Sequence, residues 1–165
     1  MKKVVCVLII LLLFGCSNDM GDKERITILE NETYVVYSES QNVLAPRVCL
    51  ENQQEEQSNE PFLVTFEVTG GLKPIVEKET NFSIDSRDLL SGSEGDISSL
   101  PPEGESLCTG ITLPLTKEVA KDKLEDMITQ GDLNVSVTEL DGEVISSSII
   151  KVFVIGMPDG SIVEP

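Results

Sequence analysis

PFLVTFEVTGG, residues 61–71, alternates apolar and polar side chains more regularly than any other stretch of this 165-residue chain. One face of the pattern carries four apolar residues at a spacing of two, Phe62, Val64, Phe66 and Val68. The polar residues Thr65 and Glu67 fall on the opposite face. Alternation with a period of two is typical of a strand that is buried on one face. The stretch therefore predicts a half-buried strand, ended by Gly70 and Gly71, and a mainly β fold around it.

Further β segments lie on both sides of this strand. Residues 24–39 and 42–50 precede it, and residues 73–84 and 107–115 follow it. Pro46 interrupts the second of these segments. Because proline has no amide hydrogen for a sheet ladder, we expect an edge position or a bulge there.

The last β unit is LNVSVTELDGEVISSSIIKVFVIG, residues 133–156. Asp141-Gly142 predicts a type I′ turn between two antiparallel strands. Residues 149–155 are apolar on both faces apart from Lys151, which predicts a strand deep inside the domain.

One helix is predicted, near residues 117–130. Thr116 is the expected N-cap, and Glu118 lies in the first turn, where the helix dipole favours an acid. Gly131 is a typical helix stop. The apolar stripe consists of Val119, Ala120, Leu124, Met127 and Ile128. We expect this stripe to pack against the core rather than against a partner.

Two polar stretches, residues 51–60 and 85–106, predict long surface loops. The first has no apolar residue at all, so it has nothing to bury. The second contains four acids whose carboxylates are candidate Ca²⁺ ligands, Asp85, Asp88, Glu94 and Asp96. Their spacing does not match an EF-hand, so we expect a solvated acidic loop, with no metal and no cofactor.

These segments together predict an Ig-like antiparallel β-sandwich of about seven strands with one α-helix. Residues 132–155, a strand, Asp141-Gly142 and a longer strand, resemble the closing hairpin of bacterial Ig-like and PKD-like domains. We expect the sandwich to span residues 24–156 and residues 157–165 to form a flexible tail.

The chain begins with MKKVVCVLIILLLFGC, residues 1–16. A positive start, a short apolar run and a small residue are typical of a secretory signal peptide. The apolar run is too short to span a bilayer, which takes about 20 apolar residues.

The ending LFGC, Leu13 to Cys16, resembles the lipobox of bacterial lipoproteins. The resemblance implies that residues 1–15 are removed and that Cys16 is acylated, for example with palmitate. Residues 16–23 would then be a lipidated tether, and several acyl chains would hold the protein on a membrane. The alternative is an ordinary secretory peptide, with Cys16 incidental.

The same resemblance implies a place in the bacterial cell envelope. Ser17 follows the lipobox cysteine, which by analogy with lipoproteins favours the outer membrane. We therefore expect the domain to face the periplasm or the cell surface.

The composition excludes several classes of function. The chain has 29 acidic and 12 basic residues and a net charge of −17, which repels nucleic acid. It contains no histidine, so a Ser-His-Asp triad and a Cys/His zinc site are both excluded. We expect a protein that is not an enzyme, with an envelope hydrolase or inhibitor as the alternative.

Cys49 and Cys108 remain once Cys6 is removed with the signal peptide and Cys16 is acylated. Two cysteines in an exported domain typically form one disulfide bond. A redox-active pair usually has close spacing such as Cys-x-x-Cys, which this pair lacks. We therefore predict a structural disulfide that joins two strands.

The sequence thus predicts a membrane-anchored lipoprotein with a non-catalytic domain that binds an envelope or surface protein or supports envelope assembly. The expected binding site is an exposed sheet face or the loops 51–60 and 85–106. A pilotin-like assembly chaperone is the alternative. Asn31, Asn81 and Asn134 begin N-glycosylation sequons, which a bacterial lipoprotein would leave unmodified.

Overall fold

The computed structural model of the chain describes residues 25–56, 58–77, 79–91 and 100–156. They form a mainly β domain of two sheets, which confirms the predicted sandwich class. The expected signal peptide, Cys16, the tether and the tail 157–165 lie outside the described residues. No helix within the described ranges is long and apolar enough to cross a bilayer.

The described residues form ten strands rather than about seven, because three predicted segments are each divided into two strands. The strands are β1 (Ile26–Ile28), β2 (Tyr34–Ser38), β3 (Val43–Asn52), β4 (Leu63–Val68), β5 (Asn81–Asp85), β6 (Ser106–Gly110), β7 (Leu113–Pro114), β8 (Leu133–Thr138), β9 (Val144–Ile149) and β10 (Phe153–Ile155). The α-helices are α1 (Ser86–Ser91) and α2 (Lys121–Thr129). Single 3₁₀ turns lie at Glu30–Glu32 and Lys73–Ile75.

Sheet one is built around the long strand β3, and sheet two around the neighbouring strands β4 and β8. In sheet one, β3 pairs antiparallel with β1, β2, β6 and β7. Sheet two has the order β5-β4-β8-β9 and is antiparallel throughout. Sheet one departs from the predicted antiparallel arrangement because β10 pairs in parallel with β2.

The core lies between the sheets and contains the predicted apolar face of β4. Phe62, Val64, Phe66 and Val68 are each at most 1% exposed. Phe66 has Phe82 and Val135 as its cross-strand neighbours, so it packs at the centre of sheet two. The alternation in residues 61–71 therefore predicted both the strand and its buried face correctly.

Pro46 lies within the central strand β3 and not at an edge. Its carbonyl oxygen accepts a hydrogen bond from the Ile111 N–H at 3.2 Å, at the interruption between β6 and β7. In an antiparallel strand the backbone N and C=O of one residue point to the same side. The nitrogen of Pro46, which carries no hydrogen, therefore also points toward the interruption between β6 and β7. Gly110 fits there because a Cβ atom would lie 2.3 Å from the Pro46 carbonyl oxygen.

Cys49 and Cys108 form a disulfide bond, as predicted, and face each other across β3 and β6. The Cys49 N–H donates to the Thr33 hydroxyl at 3.2 Å, and its carbonyl accepts from the Leu29 N–H at 2.8 Å. The backbone of Cys49 therefore makes no ladder bond to β6. The disulfide joins the strands at a non-hydrogen-bonded pair, where opposing side chains lie closest.

Helix α2 begins at Lys121, later than predicted, and Thr116 is not its N-cap. The N–H of Thr116 donates to the Ile75 carbonyl at 2.8 Å, and its hydroxyl donates to the same oxygen at 3.2 Å. These tertiary hydrogen bonds hold residue 116 beside Ile75, outside the helix, which begins at Lys121.

The apolar stripe of α2 packs against the core, as predicted. Leu124 and Ile128 are fully buried, and Met127 packs partly against the same cluster. Gly131 follows the helix with a φ of +94°, the left-handed conformation that glycine adopts readily. A Cβ atom at Gly131 would lie 3.2 Å from the Ile149 Cγ2 atom.

The predicted deep strand at residues 149–155 is wrong, because the chain changes sheets there. β9 ends at Ile149 in sheet two, and β10 begins at Phe153 in sheet one. Ile150 is 1% exposed, whereas Ile149 is 46% exposed. The segment is apolar on both faces because its two halves belong to different sheets.

The β8–β9 turn contains Asp141-Gly142, as predicted, but it is not type I′. Gly142 has a φ of +95°, whereas Asp141 has no positive φ. The Gly142 N–H donates to the Glu139 carbonyl at 3.0 Å. A type I′ turn requires positive φ at both central residues. Here Gly142 has a positive φ and Asp141 does not, so the turn is of another type.

The two predicted loops are more ordered than their composition suggests. Helix α1 occupies the start of the stretch 85–106, and the Phe62 N–H donates to the Ser86 hydroxyl at 3.0 Å. Ser58 and Leu100 exchange backbone hydrogen bonds of 3.2 and 2.8 Å, and Leu100 is 1% exposed. The described parts of both loops therefore close one end of the core.

Candidate functional site

The predicted acidic candidates do not offer a free set of ligands among the described residues. Asp85 ends β5, and Arg87 donates to it from its Nε at 2.9 Å and from Nη2. These hydrogen bonds lower the pKa of Asp85 to about 2. Asp88 lies in α1, whereas Glu94 and Asp96 lie outside the described residues. A cation would have to compete with Arg87 for the Asp85 carboxylate.

One group of potential metal ligands occurs in the part of the chain that the structure describes. It consists of Glu32, Cys49 and Cys108. The two sulfurs are bonded to each other, and metals bind the thiolate form of cysteine. This group is therefore a covalent cross-link beside a surface acid and not a metal centre.

The outer face of sheet two presents two parallel rows of cross-strand neighbours. The first is a row of hydroxyl groups that crosses β5, β4, β8 and β9 through Ser83, Thr65, Ser136 and Ser147. The second crosses the same strands through Asn81, Glu67, Asn134 and Ile149. The face is therefore rich in hydrogen-bonding groups and becomes apolar at its β9 end.

β9 is the last strand of sheet two, and β1 of sheet one packs next to it without pairing. The Ile150 N–H donates to the Leu133 carbonyl at 3.0 Å, so the polar backbone groups of Ile150 face β8. The alternate residues Ser147 and Ile149 direct theirs away from the sheet. No backbone hydrogen bond joins these outward groups to another described residue. The strand, VISSSI, also lacks the charges and proline that usually protect an exposed edge.

Apolar exposure is concentrated at the same edge. Among the described residues the exposed large hydrophobic side chains are Leu140 (47%), Val144 (60%), Ile149 (46%) and Ile155 (36%). Leu140 lies in the turn before β9, and Val144 and Ile149 are the first and last residues of the strand. Three of the four exposed side chains therefore lie along β9 or in the turn before it, whereas Ile155 lies in β10.

A groove lies on each side of β9. The outer groove, of about 290 Å³, runs over sheet two and includes Glu67 and Asn134 in its lining. The lateral groove, of about 440 Å³, lies between β9 and the turn Glu30–Glu32. Ser147, Ser148 and Ile149 line both grooves. We call Ser147, Ser148 and Ile149, together with the linings of both grooves, the β9 surface.

The β9 surface is negatively charged. Glu67 lines the outer groove, and Glu30, which accepts a hydrogen bond from the Ser148 hydroxyl at 3.0 Å, lines the lateral one. Lys151 is the single cation in these linings. Asp141 and Glu143 add further acids in the turn before β9. The surface therefore suits a partner with positive charge.

Arg25, the nearest arginine along β1, does not offset this charge. Its guanidinium forms ion pairs with Glu139 at 2.7 Å and with Glu60 at 3.0 Å. Both pairs tie the arginine to acids of its own chain. The charge available to a partner at β9 is therefore still dominated by carboxylates.

The sequence predicted an exposed sheet face as one possible site but did not identify this one. Ile149 was expected to be buried in a strand deep inside the domain. The available signal was the uncharged run of serines in β9, which is compatible with an edge. All three sequon asparagines lie near this face: Asn31 and Asn134 line the two grooves, and Asn81 is in the second row.

No family model matches the chain, and no curated protein matches it. Among solved structures it is similar to the ligand binding region of Serine-glutamate repeat protein A (SgrA) of Enterococcus faecium. The identity is 12% and the TM-score is 0.35, over 81% of this chain and 96% of that chain. This similarity is too low to assign a family or a function.

Proposed function

We propose that this protein is a lipid-anchored lipoprotein of the bacterial envelope whose β-sandwich binds another protein and does not catalyse a reaction. Cys16 would carry the lipid, and the domain would face the periplasm or the cell surface from the outer membrane. The observation that carries protein binding is the β9 surface. It combines a strand edge whose outward backbone groups have no described partner with the exposed side chain of Ile149.

The shape and chemistry of the β9 surface favour a protein partner over a small molecule. Small-molecule sites are usually concave and bury most of the ligand. The two grooves instead lie side by side along one strand and share its residues. Asp85, whose pKa is strongly lowered, lies in β5 at the opposite edge of the sheet, in an ion pair with Arg87. The β9 surface is therefore suited to contact and not to acid–base chemistry.

Photo-crosslinking in bacterial cells tests the proposed binding. A photoreactive residue at position 147 of the full-length protein should give a reproducible adduct with one envelope protein. The matched control is position 83, a serine in the middle of the other edge strand of the same sheet. Equal adducts from both positions, or none from position 147, would contradict the proposal. An adduct with an exported secretin or pilus subunit would indicate the assembly-chaperone form of this function.

Cell fractionation tests the anchor separately. The Cys16→Ser variant should leave the membrane fraction and lose labelling by a fatty-acid probe, because the acylated thiol is gone. The unchanged protein provides the control. Retention of both the label and the membrane location in the variant would refute the lipid anchor.

A further inference from the structure

We propose that the partner engages β9 through an extended, positively charged segment that pairs with it as an additional strand of sheet two. This inference rests on the proposed function and specifies its mode. The occupant is a basic extended segment of another protein. Three features of the molecule support it: the free backbone groups of β9, the two grooves beside it, and the charge around it.

The free backbone groups set the length and position of the added strand. Ser147 and Ile149 each direct one N–H and one C=O outward, so β9 offers two donors and two acceptors in a line. A strand that satisfies all four needs only about five residues at about 3.3 Å per residue. The bulge between Val137 and Thr138 limits regular pairing toward the start of β9. The added strand is therefore centred on residues 147–149.

The grooves define where the side chains of the added strand go. Side chains of a strand alternate between the two faces of its sheet. One set would lie on the outer face, beside Ser147 and Ile149 and next to the groove that contains Glu67. The other set would enter the lateral groove, where Glu30 and Asn31 line the wall. Both sets would meet a carboxylate, so basic side chains are favoured on either face.

Charge distinguishes this occupant from a second copy of the chain. Each copy carries a net charge of −17, and two β9 surfaces would bring their own carboxylates together. Like charges across an interface oppose association, whereas opposite charges increase both its rate and its specificity. A basic segment gains this attraction and also covers the exposed Ile149.

The other edge strands fit this role less well. β5 is the opposite edge of sheet two, but it ends in Asp85, which forms an ion pair with Arg87. A charge pair at the end of an edge strand is a device that discourages strand addition. β10 has only three residues, which offer little length for pairing. β6 is also an uncharged edge strand, but the groove lined by its residues Cys108–Gly110 contains Arg47 and no acid, so it does not attract a basic segment. β9 is therefore the edge strand that suits a basic segment best.

The test uses a ten-residue peptide of alternating lysine and valine, with an alternating glutamate and valine peptide as the charge control. Binding to the full-length protein in detergent is measured by fluorescence anisotropy at several salt concentrations. The lysine peptide should bind, with affinity that falls as salt rises, and the glutamate peptide should not. Binding of both peptides, or of neither, would overturn the inference.

Ser147→Pro is the decisive variant, because it removes an outward N–H without removing a bond of the existing ladder. It should weaken binding of the lysine peptide about tenfold, through the lost hydrogen bond and the bulk of the ring. Ser83→Pro, in the other edge strand, should change the affinity less than about twofold. Equal effects of the two variants would refute pairing at β9.

Two further measurements keep the test decisive if Ser147→Pro does not fold. N-methylation of every amide of the lysine peptide should abolish binding, since one alternate set of amides must donate to β9 in either orientation of the peptide. Unchanged binding of the fully methylated peptide would refute strand addition. Sedimentation should show a monomer; a dimer that the lysine peptide does not dissociate would assign the edge to a second copy.

If the cellular adduct at position 147 persists while peptide pairing fails, the proposed function stands without this mode.

Discussion

Removal of the Cys49–Cys108 disulfide should destabilise the domain without changing its fold. The bond closes a loop with a sequence separation of 59 residues. On the chain-entropy model, opening such a loop in the unfolded state lowers the free energy of unfolding by about 4 kcal/mol. For a domain of this size that corresponds to a fall in melting temperature of about 10–15 °C. β3 and β6 should stay paired, because their ladder bonds lie on either side of the cysteines.

Urea unfolding followed by circular dichroism measures this loss. The oxidised protein, the same protein in reductant, and the Cys49→Ala/Cys108→Ala double variant should be compared in the same detergent. The last two should agree and should unfold at lower urea, with a slightly larger m-value because the unfolded chain is no longer constrained. A loss below about 1 kcal/mol would refute the entropic reasoning. Reactive thiols on both cysteines of the unreduced, unfolded protein would refute the bond itself.

Three further predictions concern packing, backbone conformation and charge. Phe66→Ala should lower the free energy of unfolding by about 3–5 kcal/mol in the same urea assay, because it leaves a cavity at the centre of the core; a loss under about 1 kcal/mol would contradict the packing described above. Gly131→Ala should lower the free energy of unfolding more than Gly142→Ala does. Both glycines have positive φ, but only a Cβ atom at position 131 would press on a side chain, that of Ile149. Equal losses in the two variants would contradict this reasoning. An NMR titration should place the pKa of Asp85 at about 2, and Arg87→Gln should raise it. The stability that the Asp85–Arg87 pair contributes should be fully present above the ordinary aspartate pKa and lost as the pH falls through about 2. An unchanged pKa of Asp85 in Arg87→Gln would refute the role of Arg87.

Local patterns predicted the elements whose environment is uniform along their length. The face of β4 that contains Phe66 is buried from end to end, so its alternation was readable from the sequence. The stripe of α2 was readable for the same reason, because Leu124 and Ile128 pack against a single core. In both cases one periodicity corresponds to one layer of the sandwich.

Patterns failed where a distant part of the chain decided the local structure. Thr116 has the side chain of an N-cap, yet its hydrogen bonds to Ile75 hold it outside helix α2. Ile149 lies in an apolar run, yet the change of sheets leaves it exposed. Whether a strand is central or at an edge depends on which strands lie beside it, which no local pattern records. The β9 surface could therefore not be located from the sequence, although its lack of charge was visible.

The three sequon asparagines have a practical consequence for producing this protein. Asn31 and Asn134 line the grooves beside β9, and Asn81 belongs to the row that ends at Ile149. A eukaryotic secretory host would attach bulky glycans to such acceptors, whereas the expected bacterial source would not. Glycans on Asn31 and Asn134 would cover the β9 surface. Material secreted from such a host should therefore lose the proposed binding even when it is folded, so the choice of expression host bears directly on the binding assay.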